Sequence, residues 1–102
     1  MDRIGTFKTF ITRAPADPFP RYGLAMEYKG AGSLREAWVT FEDLLQNFPD
    51  YVPTYLQFGM VLTDAGRDDD AREIFKKGID AAKAKGDAHA LSELQGALAG
   101  LD

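Results

Sequence analysis

Apolar side chains recur along most of the chain at spacings of three and four residues, the period of an amphipathic helix. Pro18 and Pro53 open two of these runs, and glycines follow their ends, as helix boundaries require. The pattern therefore predicts an all-α chain. The predicted apolar faces are Leu24, Ala25 and Tyr28 together with Arg21; Leu34, Ala37, Trp38, Phe41, Leu44, Leu45 and Phe48; Tyr55, Phe58, Gly59 and Leu62; Ala71, Ile74, Phe75, Gly78, Ile79 and Ala82; and Leu91, Leu94, Leu98 and Leu101.

Polar residues are placed to cap three of these helices. Asp17 precedes Pro18 and is expected to accept a hydrogen bond from the first turn of its helix. Ser33 and Glu36 form a Ser-x-x-Glu capping box, and Asp68 is expected to cap the helix that follows Gly66. That helix is expected to continue to about Lys85.

The chain repeats itself at an offset of 34 residues, and an internal repeat decides how the fold is assigned. A partial third copy lies upstream, where Phe7 aligns with Phe41. Chance would not place identities at small, aromatic and turn positions together. Between the two full copies the identities are Met26 with Met60, Ala31 with Ala65, Gly32 with Gly66, Ala37 with Ala71, and Phe41 with Phe75.

These residues resemble the tetratricopeptide repeat, a 34-residue helix-turn-helix with the pattern Trp-x₂-Leu-Gly-x₂-Tyr, Ala-x₃-Phe and Pro. The second copy follows it with Tyr55, Phe58, Gly59, Leu62, Ala71 and Phe75, and has Lys83 in place of the final proline. The first copy follows it with Leu24, Ala25, Tyr28, Ala37, Phe41 and Pro49, and has Arg21 where an aromatic residue is usual. In the upstream copy Arg3 replaces the small residue.

The resemblance implies a right-handed solenoid of stacked antiparallel helix pairs, about 2.5 repeats plus a C-terminal capping helix. Small residues allow paired helices to approach to about 8 to 10 Å, and aromatic residues fill the space between pairs. We expect a single domain over residues 1–102, because this length suits one domain. Its expected parts are an N-terminal half-repeat helix (1–17), repeat 1 (18–51), repeat 2 (52–85) and the capping helix (86–102).

Composition excludes several partners and cofactors. The chain has 12 basic and 16 acidic side chains, a net charge of −4 and no cysteine. We therefore expect no nucleic-acid partner, no anionic membrane surface, no disulfide and no thiolate chemistry. No apolar segment has transmembrane length and no signal peptide is recognisable, so we expect a cytoplasmic protein.

The resemblance also implies a concave surface, formed by the first helix of each pair, that binds peptide segments of other proteins. We define two stripes from the residues that the predicted core leaves over. The first stripe is Phe19, Tyr22, Met26 and Lys29, and the second stripe is Leu56, Gln57, Met60 and Thr63, with Asp64 at its rim. Apolar, methionine-containing surfaces with a polar rim are typical of adaptable recognition grooves. The sequence therefore predicts a partner-binding groove made of these eight residues.

Other interpretations of the same residues remain. The apolar surface could join copies of the chain into a homo-oligomer, or the upstream and terminal helices could cover it. A metal-dependent enzyme would need Asp64, Asp68, Asp69 and Asp70 to hold a cation beside His89. Capping and the helix dipole already explain acidic residues at a helix start, and a lone histidine is usually a surface residue. We therefore expect a non-catalytic interaction module without metal or cofactor.

Overall fold

The computed structural model describes residues 2–101 of the chain. Within this range it contains six α-helices and no β-strand. Two compact units divide the chain, an N-terminal unit that ends at Phe48 and a C-terminal unit that begins at Pro49. The helices of the N-terminal unit are α1 (Arg3–Arg13), α2 (Pro18–Gly30) and α3 (Leu34–Asn47), and those of the C-terminal unit are α4 (Pro53–Asp64), α5 (Asp68–Lys85) and α6 (Ala88–Ala99).

In the N-terminal unit, α2 packs against both α1 and α3. Ala25 on α2 and Ala37 on α3 are fully buried, as predicted for small residues at a helix contact. The Phe7 ring of α1 lies against Gly23 of α2, where a side chain would overlap it. Arg3, which replaces the usual small residue, forms an ion pair with Glu27, Nε to Oε1 2.7 Å. The other buried apolar side chains of this unit are Pro20, Leu24, Phe41 and Leu44.

In the C-terminal unit, α4, α5 and α6 all contact one another. The Phe75 ring lies directly against Gly59, which confirms the predicted close approach of α4 and α5. Gly78 brings α5 near Tyr55 and Leu94 in the same way. Val61 is also fully buried, although the sequence analysis assigned it to no face. The remaining buried apolar side chains are Val52, Phe58, Leu62, Ala71, Ile74 and Ala82.

Only some of the helix caps predicted from the sequence are present in the structure. Asp17 accepts a hydrogen bond from the Phe19 amide at 3.0 Å, which confirms the predicted cap. The predicted capping box at Ser33 is wrong, because the Ser33 side chain makes no cap bond. Its backbone N–H already donates to the Tyr28 carbonyl in the preceding turn, so Glu36 has no donor to reach back to.

The helix after Gly66 also starts differently from the prediction. The residue at the capping position is Arg67, and Asp68 is instead the first helical residue. The Arg67 N–H donates to the Leu62 carbonyl, the same closing bond that Ser33 makes to Tyr28. Helix α5 does continue to Lys85, as predicted, and ends at Gly86 with φ +70°.

Candidate functional site

The first stripe lies on α2 and differs in exposure along its length. Phe19, in the first turn, is 57 % exposed, so α1 does not cover it within the N-terminal unit. Tyr22 is half-buried, and its ring meets the edge of the Phe41 ring with centroids 6.5 Å apart. Met26 and Lys29 are half-buried as well. Phe19 is therefore the stripe's exposed apolar residue, while Tyr22 also serves the packing of α2 on α3.

Arg21 occupies the position at which the family pattern has an aromatic residue. Its guanidinium lies over the Phe48 ring, with Cζ 5.4 Å from the ring centroid. It also donates to the Pro15 carbonyl at 2.8 Å and to the Asp43 carboxylate at 3.2 Å. A planar cation that stacks on a ring and satisfies two acceptors replaces the missing aromatic contact.

The second stripe lies on α4. Met60 is 40 % exposed, whereas Leu56, Gln57 and Thr63 are half-buried. The Thr63 hydroxyl donates to the Gly59 carbonyl one turn earlier at 2.9 Å, so it is satisfied within its own helix. Met60 is therefore the stripe's exposed apolar side chain.

Met60 and Thr63 border a surface hollow of about 290 Å³ where α4 meets α5 and α6. Helix α6 and the residues after it approach the second stripe without covering Met60. The sequence placed Leu101 on the apolar face of the last helix but did not predict the hollow, because α6 lies outside the matched repeats. The hollow is lined by Met60, Thr63, Asp64, Phe75, Ala97, Gly100 and Leu101. We call it the α4–α6 hollow.

Charge is distributed unevenly between the two units. Residues 1–48 hold six basic and six acidic side chains, whereas residues 49–102 hold six basic and ten acidic ones. The net charge of −4 therefore belongs entirely to the second range. In the first turn of α5, Asp69 pairs with Arg72 at 2.8 Å and Asp70 with Arg67 at 2.7 Å.

The residues considered for catalysis do not assemble into a metal centre. Among residues 2–101, no group of three or more histidine or carboxylate side chains could hold an ion. His89 is exposed and lies 3.1 Å from Glu93 on the same helix. Burial raises the pKa of the Tyr55 phenol above 10.0, and the nearby Asp50 carboxylate raises it further. The Tyr55 hydroxyl donates to the Pro49 carbonyl, which gives this tyrosine a structural role.

No helix within residues 2–101 is both long enough and apolar enough to cross a bilayer.

The two antiparallel helix pairs, α2 with α3 and α4 with α5, define a protein of the helical-repeat class with a 34-residue period. No protein-family model matches the chain, and no curated protein sequence does either. Solved structures do match it. The crystal structure of a tetratricopeptide repeat domain protein from Salinibacter ruber is 39 % identical, covering 83 % of this chain and 96 % of its own, with a TM-score of 0.80.

Two solution structures are similar as well. One, of a tetratricopeptide repeat domain protein from Salinibacter ruber, is 39 % identical over 86 % of this chain and 89 % of its own, with a TM-score of 0.82. The other, of a Bordetella parapertussis protein, is 22 % identical over 99 % of this chain and 88 % of its own, with a TM-score of 0.84, and shows the fold alone. The chain belongs to the tetratricopeptide repeat family. This fold is in general that of a protein-interaction module, typically non-catalytic.

Proposed function

We propose that the chain is a non-catalytic module that binds a protein or peptide segment through the first stripe on α2 and the second stripe on α4. The observation that carries the proposal is the exposure of Phe19 and Met60 on these two helices. Other side chains fill the interior of both units, so neither residue is needed for the core. Each is the exposed apolar member of a stripe that also holds half-buried side chains, and grouped apolar surface of this kind is typical of a protein-binding site.

The chemistry of both stripes suits a flexible ligand. Methionine adapts its shape to different apolar surfaces, and aromatic side chains are enriched where proteins bind one another. Lys29 and Gln57 lie beside these apolar groups and supply polar contacts at their rim. An apolar centre with a polar rim is the usual arrangement of a binding surface.

The same surface would join copies of the chain if self-association were its role. The outer face of α6 opposes end-to-end stacking, because its side chains are polar and exposed. Capping helices with a polar outer face are what limit the growth of helical repeats. This face disfavours growth by stacking, and we propose a separate protein segment as the occupant of the two stripes. The exposed polar residues of this face are His89, Ser92, Glu93 and Gln95.

A variant carrying both Phe19→Asp and Met60→Asp tests the proposal. We expect the wild-type chain to enrich defined sequences from a phage-displayed peptide library, and the double variant to lose this enrichment because carboxylates replace both apolar contacts. Its melting curve should match that of the wild type, since both side chains are exposed.

Val39→Asp is the matched control. Val39 is an exposed apolar residue on the second helix of its pair, 59 % exposed, and lies outside both stripes. This variant should retain the enrichment. Equal enrichment by the double variant would contradict the proposal. Self-association would also contradict it: in light scattering the wild-type mass would rise with concentration, whereas the double variant would remain a monomer. The surface would then join copies of the chain.

A further inference from the structure

We propose that the α4–α6 hollow receives an apolar side chain of the partner segment and that this side chain is flanked by lysine or arginine. The inference rests on the proposed function and specifies its partner.

The hollow is an open, mainly apolar depression with room for one side chain. Its volume of about 290 Å³ falls at the lower limit of small-molecule pockets, which begin at roughly 300 Å³. Phe75 lies at its base and is almost fully buried, while Met60 forms an adaptable wall. Gly100 lines the hollow without a side chain, and a Cβ at this position would meet only two backbone oxygens, at 3.5 and 3.6 Å.

The charges around the hollow favour a cationic ligand. Asp64 lines it and forms no ion pair within residues 2–101. Helix α4 carries no lysine or arginine, and the only basic side chain of α6 is His89, which pairs with Glu93. Arg72 reaches the Leu101 carbonyl at 3.4 Å, but its charge is offset by Asp69. A lysine or arginine beside the inserted side chain would supply the missing positive charge.

Asp64 also stands where a carboxylate destabilises the fold. It is the last residue of α4, at the negative end of the helix dipole, and no basic residue occupies that turn. A residue that opposes local stability without a compensating contact points to a functional role. Binding a cation at this position would provide the compensation.

Three fluorescein-labelled peptides of equal length test this assignment. Each places leucine between two identical residues, which are lysine in the first, glutamine in the second and glutamate in the third. Each peptide is titrated with the full chain to measure its affinity, and the amide NMR shifts of the chain are recorded during the titration. We expect the lysine peptide to bind about tenfold more tightly than the glutamine peptide at low salt, and the glutamate peptide not to bind. Added salt should reduce this preference.

Two glycines of the C-terminal helix region provide matched variants. Gly100→Leu fills the hollow at a residue with φ −67°, which any side chain tolerates, and should weaken the lysine peptide at least tenfold. Gly96→Leu adds the same side chain on α6 where no atom lies within 4 Å, outside the hollow, and should leave affinity unchanged.

Asp64→Asn separates charge from shape. We expect it to abolish the preference for lysine over glutamine, to preserve binding of the glutamine peptide, and to raise the melting temperature. Equal affinity for the lysine and glutamine peptides in the wild type would overturn the assigned partner chemistry. The proposed function would survive that result if Phe19→Asp with Met60→Asp still lost library enrichment. Binding of none of the three peptides, alongside wild-type library enrichment, would overturn the hollow as a binding site.

Discussion

Two hydroxyl groups are buried in the first turn of α4, one with a hydrogen-bond partner within residues 2–101 and one without. The Tyr55 hydroxyl donates to the Pro49 carbonyl. The Thr54 side chain is fully buried, and its hydroxyl has no hydrogen-bond partner among the described residues. A buried polar group without a partner loses its hydration and gains nothing in return. These two neighbours therefore allow separate tests of what a buried hydroxyl contributes to stability.

Thr54→Val should raise the free energy of unfolding by about 1 kcal/mol, because it replaces the unpartnered hydroxyl with a methyl group of the same shape. Urea denaturation at neutral pH measures the change. Thr63→Val is the control, since that hydroxyl donates to the Gly59 carbonyl and its removal should bring no gain. A Thr54→Val protein less stable than the wild type would show that the hydroxyl makes a favourable contact.

Tyr55 should make stability depend on alkaline pH. The pKa of its phenol is raised in the folded chain, first by burial and then by Asp50. The unfolded chain therefore ionises first, from about pH 10, and binds fewer protons than the folded chain. The contribution of this group is complete below that pH and is lost as pH rises through the folded pKa.

The comparison with Tyr55→Phe isolates this effect from the other tyrosines. At neutral pH the variant should be about 1 kcal/mol less stable, because the bond to Pro49 is lost. Urea titrations from neutral pH to pH 11 should show this difference shrinking above pH 10. A difference that grows with pH would reverse the sign and contradict the raised pKa.

The contacts of Arg21 could not be predicted from the sequence, although its place in the repeat could. The repeat pattern identified the position correctly and showed that an aromatic residue was absent there. Its replacement depends on Pro15, which precedes α2, and on Asp43 and Phe48 in the last turns of α3 and at its end. Only the folded backbone brings these partners to one guanidinium, so the sequence could not specify them.

At the scale of elements, the helices and their contact faces follow from local sequence. Prolines open α2 and α4, Asp17 caps α2, and small residues lie where helices approach. The predicted caps at Ser33 and Asp68 both fail directly after the same kind of turn. In each turn the residue at the capping position, Ser33 or Arg67, donates its N–H to a carbonyl of the preceding helix. Whether this backbone N–H bonds to the preceding helix depends on the geometry of the turn, which the side-chain pattern does not show.

Glycines within helices should respond oppositely to the same substitution. Gly59→Ala would place a methyl group in the space of the Phe75 ring, and we expect a loss of about 1 to 3 kcal/mol. Gly96→Ala has open space and should gain about 0.5 to 1 kcal/mol from helix propensity. Thermal unfolding of both variants measures the contrast. A neutral Gly59→Ala would mean that the Phe75 ring can move aside at little energetic cost.

At the scale of the molecule, the two stripes and the α4–α6 hollow were not equally predictable. The residues of the two stripes could be named from the sequence. The repeat pattern assigns the core positions of each first helix, so the other residues of that helix are left for solvent or a partner. The hollow needs Ala97, Gly100 and Leu101, which lie beyond the last matched repeat position. Helical periodicity placed Leu101 on an apolar face but predicted no contact with Met60, so only the folded C-terminal unit reveals their proximity.

The turn between the helices of each pair is the same structure twice. Gly32 and Gly66 both have φ +76°, and the three backbone bonds that close the first turn recur 34 residues later with lengths that agree to within 0.1 Å. A genetic crossover between the two copies at this point would join segments whose backbones already match. It would add or remove one whole helix pair without strain at the junction. The turn thus makes a 34-residue step the natural unit by which such a gene lengthens or shortens.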